Sequence, residues 1–348
     1  MRLEWSVTVV PVQDLMRRLA TSVSTLLRRL ALDPFTIGLM GMVLLASLLP
    51  ASGAAALVLG NVTTFAIGLL FFLHGAKLSR EALVAGLTHW RLHLLVLAST
   101  FVMFPLMGLA IEPLALRLLT PELTMGILFL CMLPSTVQSS IAFTALARGN
   151  VAAAVCSASA SNFLGIFLTP LLVSLLVVQG AQAGGGSSLA QIWKIVEQLL
   201  LPFIAGQLLR PWIGAFIDRH KPLLRYVDQG SILLVVYTAF SESVSEGLWQ
   251  HISGSTLLVL VVLSCVMLAI ALGLAAWTSR RLGFSKEDEI TIVFCGSKKS
   301  LASGVPMAKV LFAPSALGMV ILPLMLFHQI QLMVCAVLAQ RWARRGEQ

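Results

Sequence analysis

Two adjacent lysines, Lys298 and Lys299, stand in a stretch, 290–312, that is otherwise almost wholly apolar and long enough to cross a bilayer. An ionisable residue at membrane depth costs on the order of 3 kcal/mol or more, so it usually faces a cavity or a pathway. Gly296, Gly304 and Pro306 flank the pair, which favours a helix broken around a polar site. A second apolar stretch is interrupted at Leu133-Pro134-Ser135-Thr136 and continues with Gln138, Ser139 and Ser140. Proline removes a backbone donor and bends a helix, freeing carbonyls. The half-helix that follows begins with exposed amides carrying partial positive charge. Two such breaks that meet would suit an anion, with Ser297 and Ser300 beside the lysines. The lysines lie about 100° apart on a helix, so one is expected to face the site; the alternative is that both snorkel or pair internally.

Other polar groups join these less directly. The run 152–162 is rich in small residues, which let helices approach closely. Its Ser157, Ser161 and Asn162 either pack there or line the site. His328 and Gln329 sit deep in the last apolar stretch. They either bond between helices or contact substrate, and His328 could carry a proton. A serine beside a lysine can act as a nucleophile. However, the sequence has no G-x-S-x-G, H-E-x-x-H or Walker signature, so no catalytic residue and no ATP-driven step is expected.

The elements that must position these residues are membrane spans. The chain of 348 residues is 58% hydrophobic and 11% charged, with mean hydropathy +0.92, whereas a soluble domain carries roughly 25% charged residues. At about 20 residues per span, ten are expected: 35–50, 54–76, 92–112, 122–147, 150–178, 191–209, 228–247, 254–279, 290–312 and 316–340. No cleavable leader is expected. The five cysteines all fall in apolar spans without metal-ligand spacing, as small core residues do.

The net charge of +9 reflects topology, not nucleic acid. With these ten spans, 19 of the 24 lysines and arginines fall on one side, which puts both termini in the cytoplasm of an inner or plasma membrane protein. A Gly/Ser-rich linker at 179–190 divides the chain into five-span halves, 35–178 and 191–343, of opposite orientation. Inverted repeats with matched interruptions, here in spans four and nine, mark a transporter's binding site. Residues 1–34 form a cytoplasmic segment whose 11–32 reads as an amphipathic helix on the inner leaflet, and 344–348 form a tail.

These motifs resemble the SBF-like branch of the bile acid:sodium symporter superfamily. The matching segments are Leu133-Pro-Ser-Thr-Val-Gln-Ser-Ser-Ile-Ala-Phe143, Leu146-Ala-Arg-Gly-Asn-Val151, Phe167-Leu-Thr-Pro170, Gln198-Leu-Leu-Leu-Pro-Phe203 and Phe294-Cys-Gly-Ser-Lys-Lys-Ser-Leu-Ala-Ser303. The likeness extends over 35–341, and the span-four and span-nine motifs together are specific. It implies an all-α, ten-helix membrane fold. Broken spans four and nine would cross in a core domain, and spans one, two, six and seven would form a panel. The function it implies is secondary transport of a small organic anion by alternating access. Carried over by position, the span-four sodium ligand of the coupled members falls near Ser139 or Ser140 and the span-five hydroxyls fall near Ala154 and Ala158, with Ser157 and Ser159 adjacent, so Ser139, Ser140 and Ser157 are the weak metal ligands expected here. A span-three glutamine falls on Thr100, and a His-Asn pair on His328-Gln329.

Span nine departs from the pattern. The sodium-binding Glu has no acidic match, and the Gln-Asn positions hold Lys298 and Lys299. An ammonium 4 Å from a sodium ion repels it by about 4 kcal/mol at an effective dielectric near 20. At least one sodium site is therefore expected to be replaced by a fixed or titratable lysine. No bound cofactor is expected, and the coupling ion is sodium or a proton, if transport is coupled at all. The alternative reading is a non-transporting sensor or regulator of ion homeostasis on the same scaffold. The expected partners are a small organic anion and membrane lipid.

Overall fold

The computed structural model describes residues 34–77, 89–176, 196–245 and 247–344. The expected amphipathic helix at 11–32 and the central linker lie outside them. Among the described residues every regular element is helical. The first half holds α1 (Pro34–Leu48), α2 (Gly53–Lys77), α3 (Trp90–Leu118), α4 (Pro121–Met132), α5 (Gln138–Leu146) and α6 (Val151–Leu176). The second holds α7 (Val196–Arg219), α8 (Lys221–Ser245), α9 (Gly254–Arg281), α10 (Lys286–Gly296), α11 (Leu301–Leu311) and α12 (Pro314–Ala343), with one short turn at Leu248–His251 between α8 and α9.

Six of these, α2, α3, α6, α7, α9 and α12, are long and apolar enough to cross a membrane. The other expected spans differ for visible reasons. Helix α1 has only 15 residues. Helix α8 is long enough but carries Lys221, Arg225, Asp228 and Glu242. The expected fourth and ninth spans are split into α4–α5 and α10–α11.

The splits follow from the sequence. Leu133 precedes Pro134 and is extended, at φ −76° and ψ 154°, because the proline ring disfavours the helical region for its predecessor. Helix α4 starts on the Thr120 cap, followed by Pro121, a favoured first helical residue. Ser285 caps α10, whose first turn carries Glu287, Asp288 and Glu289, acids suited to a helix N-terminus. Ser300 caps α11 by accepting from Ser303 N.

Helix α8 packs on α1, α2 and α7, α2 packs on α7, and α8 also lies against α11 and α12. Helices α2 and α7 approach most closely at paired glycines. A Cβ on Gly75 would lie 2.1 Å from the Phe203 carbonyl oxygen, and one on Gly206 would lie 2.0 Å from that of Phe72. In lipid this backbone proximity is a main source of helix association.

Candidate functional site at the crossing of two broken helices

The two breaks meet, and each supplies what the other lacks. A helix ends with carbonyls that have no intrahelical partner, and in lipid no water can satisfy them. At the end of α10, the Phe294 carbonyl accepts from Ser140 Oγ at 3.0 Å and that of Cys295 from Ser135 Oγ at 2.6 Å. In return the Ser300 amide donates to the Pro134 carbonyl at 2.9 Å. Ser297 Oγ turns back onto its own helix, donating to Val293 O.

Lys299 closes the end of α4. Its Nζ donates to the carbonyls of Cys131 (2.9 Å), Leu133 (2.7 Å) and Thr100 (2.8 Å). The Met132 carbonyl between them takes Thr169 Oγ1 at 2.8 Å. Thr100 O is available for a local reason. Helix α3 passes through a wide turn at Ser99–Met103, where the Phe104 amide bonds to Ser99 O. The next amide in that register would belong to Pro105, which has none. The ammonium thus has three N–H groups and three carbonyl acceptors, with the Phe104 ring 4.2 Å away. Both lysines are fully buried.

Lys298 is held differently. Its Nζ donates to Ser139 O at 3.0 Å and sits over the rings of Phe143 (4.0 Å) and Phe294 (5.1 Å). A desolvated cation on an aromatic face gains about 2 kcal/mol. Among the described residues no carboxylate pairs with either lysine.

The small-residue helix α6 clamps the first break. Ser161 Oγ accepts from the Ser135 amide at 3.0 Å, and Asn162 Nδ2 donates to Ser135 O at 2.7 Å. Asn162 Oδ1 accepts from Ser303 Oγ, which ties in α11. Thr136, Ser139 and Ser140 hydrogen-bond among themselves. Ser157 instead pairs with His93 of α3 at 2.7 Å, a partner not anticipated from sequence.

On α12 it is Gln331, not Gln329, that reaches the break. Gln331 takes the Lys299 amide on Oε1 and gives Nε2 to the Lys299 carbonyl, both at 2.9 Å, and also meets His328 Nδ1. The Gln329 amide group is buried without a hydrogen-bond partner. Gln331 could have been found as the residue one helical turn from His328; its burial could not.

Beside the crossing lies a cavity of about 400 Å³. Helices α5 and α11 both begin on it, through Gln138 and Leu301, with Ser139, Ser300, Asn162 and His328 nearby. The facing wall carries His74 of α2 with Arg225 and Asp228 of α8. Neither lysine lines it: Ser139 and Phe143, which do, stand between Lys298 and the open space.

Comparison with known proteins adds to this geometry. The model of the SBF-like CPA transporter family matches residues 33–344. The chain belongs to that family. It is 69% identical to an uncharacterized protein of Pseudomonas aeruginosa over 90% of this chain and 94% of that one. It is 59% identical to the Escherichia coli protein named "Putative symporter YfeH", covering 91% and 95%. It is 31% identical to Sodium/bile acid cotransporter 7-B of Xenopus laevis, covering 90% and 92%. The protein is accordingly an integral membrane transporter of this SBF-like family.

Proposed function

We propose that the protein is a secondary transporter of a small organic anion, working by alternating access without a sodium ion at the position of Lys299. Ten membrane passes in two inverted halves, with α1, α2, α7 and α8 as the panel and the remaining helices as the core, are part of this reading. So is the placement of both termini in the cytoplasm.

The observation that carries the proposal is the cavity at the start of α5 and α11. Two helix N-termini present partial positive charge there, and two buried ammonium groups lie behind them. An anion in the cavity would meet hydroxyls and amides without being neutralised by a lysine at contact distance, so it could leave as well as enter. The cotransporter name of the Xenopus relative is in keeping with an organic anion.

Lys299 supports sodium independence. It already gives the carbonyls of Thr100, Cys131 and Leu133 a cation, so a metal ion there would have to displace it. The alternative, a regulator without transport, is disfavoured by the match to a transporter family over residues 33–344.

The test is the melting temperature of the detergent-purified protein against a panel of carboxylates and sulfonates, each with sodium and with N-methylglucamine as counter-ion. Binding to the folded state alone raises the melting temperature. The expected outcome is an anion-specific rise that is the same with either cation. A rise with sodium alone, independent of the anion, would reject the reading.

A further inference from the structure

A second hollow lies outside the transport cavity, between the last turns of α9 and α12. We propose that it is a binding site for an anionic phospholipid, with an acyl chain along its length and the phosphate on Arg341.

Helices α9 and α12 pack side by side, yet the groove between them holds about 660 Å³. The room comes from α9, where Ala269, Gly273 and Ala276 line the groove at helical spacing and put almost no side chain into it. A Cβ added at Gly273 would meet nothing within 4 Å. The glycines that join α2 to α7 are different, since a Cβ on Gly75 or Gly206 runs into backbone. Gly273 therefore leaves a space without bringing a neighbour close. The opposite wall includes Val334 and Val337 of α12, which are 41% and 51% exposed, so the groove opens away from the protein. Water finds too few polar partners in such a channel, and an empty one forfeits dispersion contacts along its walls. An acyl chain supplies those contacts.

The charge at one end selects the headgroup. Arg341 and Trp342 close the groove in the last turn of α12, and no acid lines it. Arg280 and Lys286 nearby share Glu289, Asp288 holds Asn150, and Arg281 lies over the Trp277 ring. Glu287 is exposed and does not line the groove. Among the described residues Arg341 has neither a carboxylate nor a ring for a partner. Its guanidinium fork fits a phosphate with two parallel hydrogen bonds. A tryptophan beside arginines at a helix end belongs at the level of the lipid headgroups, where basic pockets between membrane helices take anionic lipids. A zwitterionic headgroup offers the same phosphate with its charge cancelled by the amine.

The groove also touches the broken helix. Its floor includes Val293 of α10, whose carbonyl accepts from Ser297 Oγ at 2.6 Å. The next residue, Phe294, packs on Trp342 with ring centres 5.4 Å apart and lies 5.1 Å below Lys298 Nζ. A lipid in the groove thus packs against the half-helix that ends at the crossing.

The experiment irradiates the full-length protein in detergent micelles with phosphatidylglycerol carrying a diazirine on one acyl chain, and maps the adducts by peptide mass spectrometry. Adducts are expected to concentrate on 269–276 and 333–342. Unlabelled phosphatidylglycerol should compete roughly fivefold better than phosphatidylethanolamine, the worth of one arginine near a charged surface. In Arg341→Gln the adducts should remain while the two competitors become equal. In Gly273→Leu, whose added atoms enter free space, they should disappear from 269–276. Adducts spread evenly over the exposed apolar faces of α1 and α2 would mean annular lipid only and overturn the proposal. So would equal competition in the wild type, or a wild-type pattern in either variant. Because Arg341 is exposed, its variant carries the test even if Gly273→Leu lowers the melting temperature.

Discussion

Lys299, in the break between α10 and α11, and Lys77, at the end of α2, are both lysines in largely apolar surroundings, yet they are bound in opposite ways. At the crossing, three N–H groups meet three carbonyls that nothing else satisfies. At the cavity wall, an ammonium meets a carboxylate whose second oxygen is left alone. A site with every partner in place resists change, since any new protonation state breaks several bonds at once. A half-satisfied site can gain a partner, and so can respond to the cavity's contents. The comparison separates a charge whose every bond is made from one whose partner is left half-satisfied.

The strongest way to break this comparison is Lys299→Ala. It strands the carbonyls of Thr100, Cys131 and Leu133 in a dry interior, and the expected loss of stability is about 3–5 kcal/mol, read from denaturant unfolding in micelles. A loss below about 1 kcal/mol would mean that water or an ion already serves those carbonyls. Lys77→Met should cost less, about 1–3 kcal/mol, because that pair is partly exposed, with 27% and 18% of its side chains accessible. If the two losses are equal, the contrast fails.

Ser140→Ala sharpens the account of the crossing itself. It leaves the Phe294 carbonyl without its 3.0 Å partner, for a cost of about 1 kcal/mol in the same assay. The smallest effect is expected at Glu289, in the first turn of α10 before the apolar stretch. Burial alone would raise its carboxyl, but the hydrogen bonds and charges of Arg280 and Lys286 outweigh this and hold it below the usual value. A depressed folded value gives stabilisation that is fully present above the unfolded value of about 4.3 and is lost as the pH falls through the folded value. Glu289→Gln should therefore be less stable than wild type near neutral pH, and the two melting curves should converge on acidification below about pH 4.

Much of this was legible in the sequence. Pro134 and the Gly296–Ser300 run announce both breaks, since each removes or weakens helical bonding at a stated residue. The two lysines mark the crossing because a charge in an apolar stretch needs a reason. Ser135, Thr136, Ser139, Ser140, Ser161 and Asn162 are all engaged at or beside the first break. Other features were hidden. The wide turn at Ser99–Met103 has only Pro105 as a local clue. Gln331 differs from Gln329 in which face of α12 it occupies, and α12 is apolar nearly all round, so no pattern separates them. Lys77 and Asp228 are 151 residues apart, and each alone looks like an ordinary residue near a helix end.

The sequence by itself determined that this is a membrane protein, where its apolar helices break, and that positive charge sits inside one break. Those are consequences of composition and of local backbone chemistry, which act within a few residues. The tertiary structure decided which carbonyls the lysines hold, that both lysines are withdrawn behind the cavity wall, and that an aspartate from α8 meets a lysine from α2 there. Such pairings depend on how distant helices pack, because a buried donor or acceptor is satisfied by whichever group the fold brings within about 3 Å.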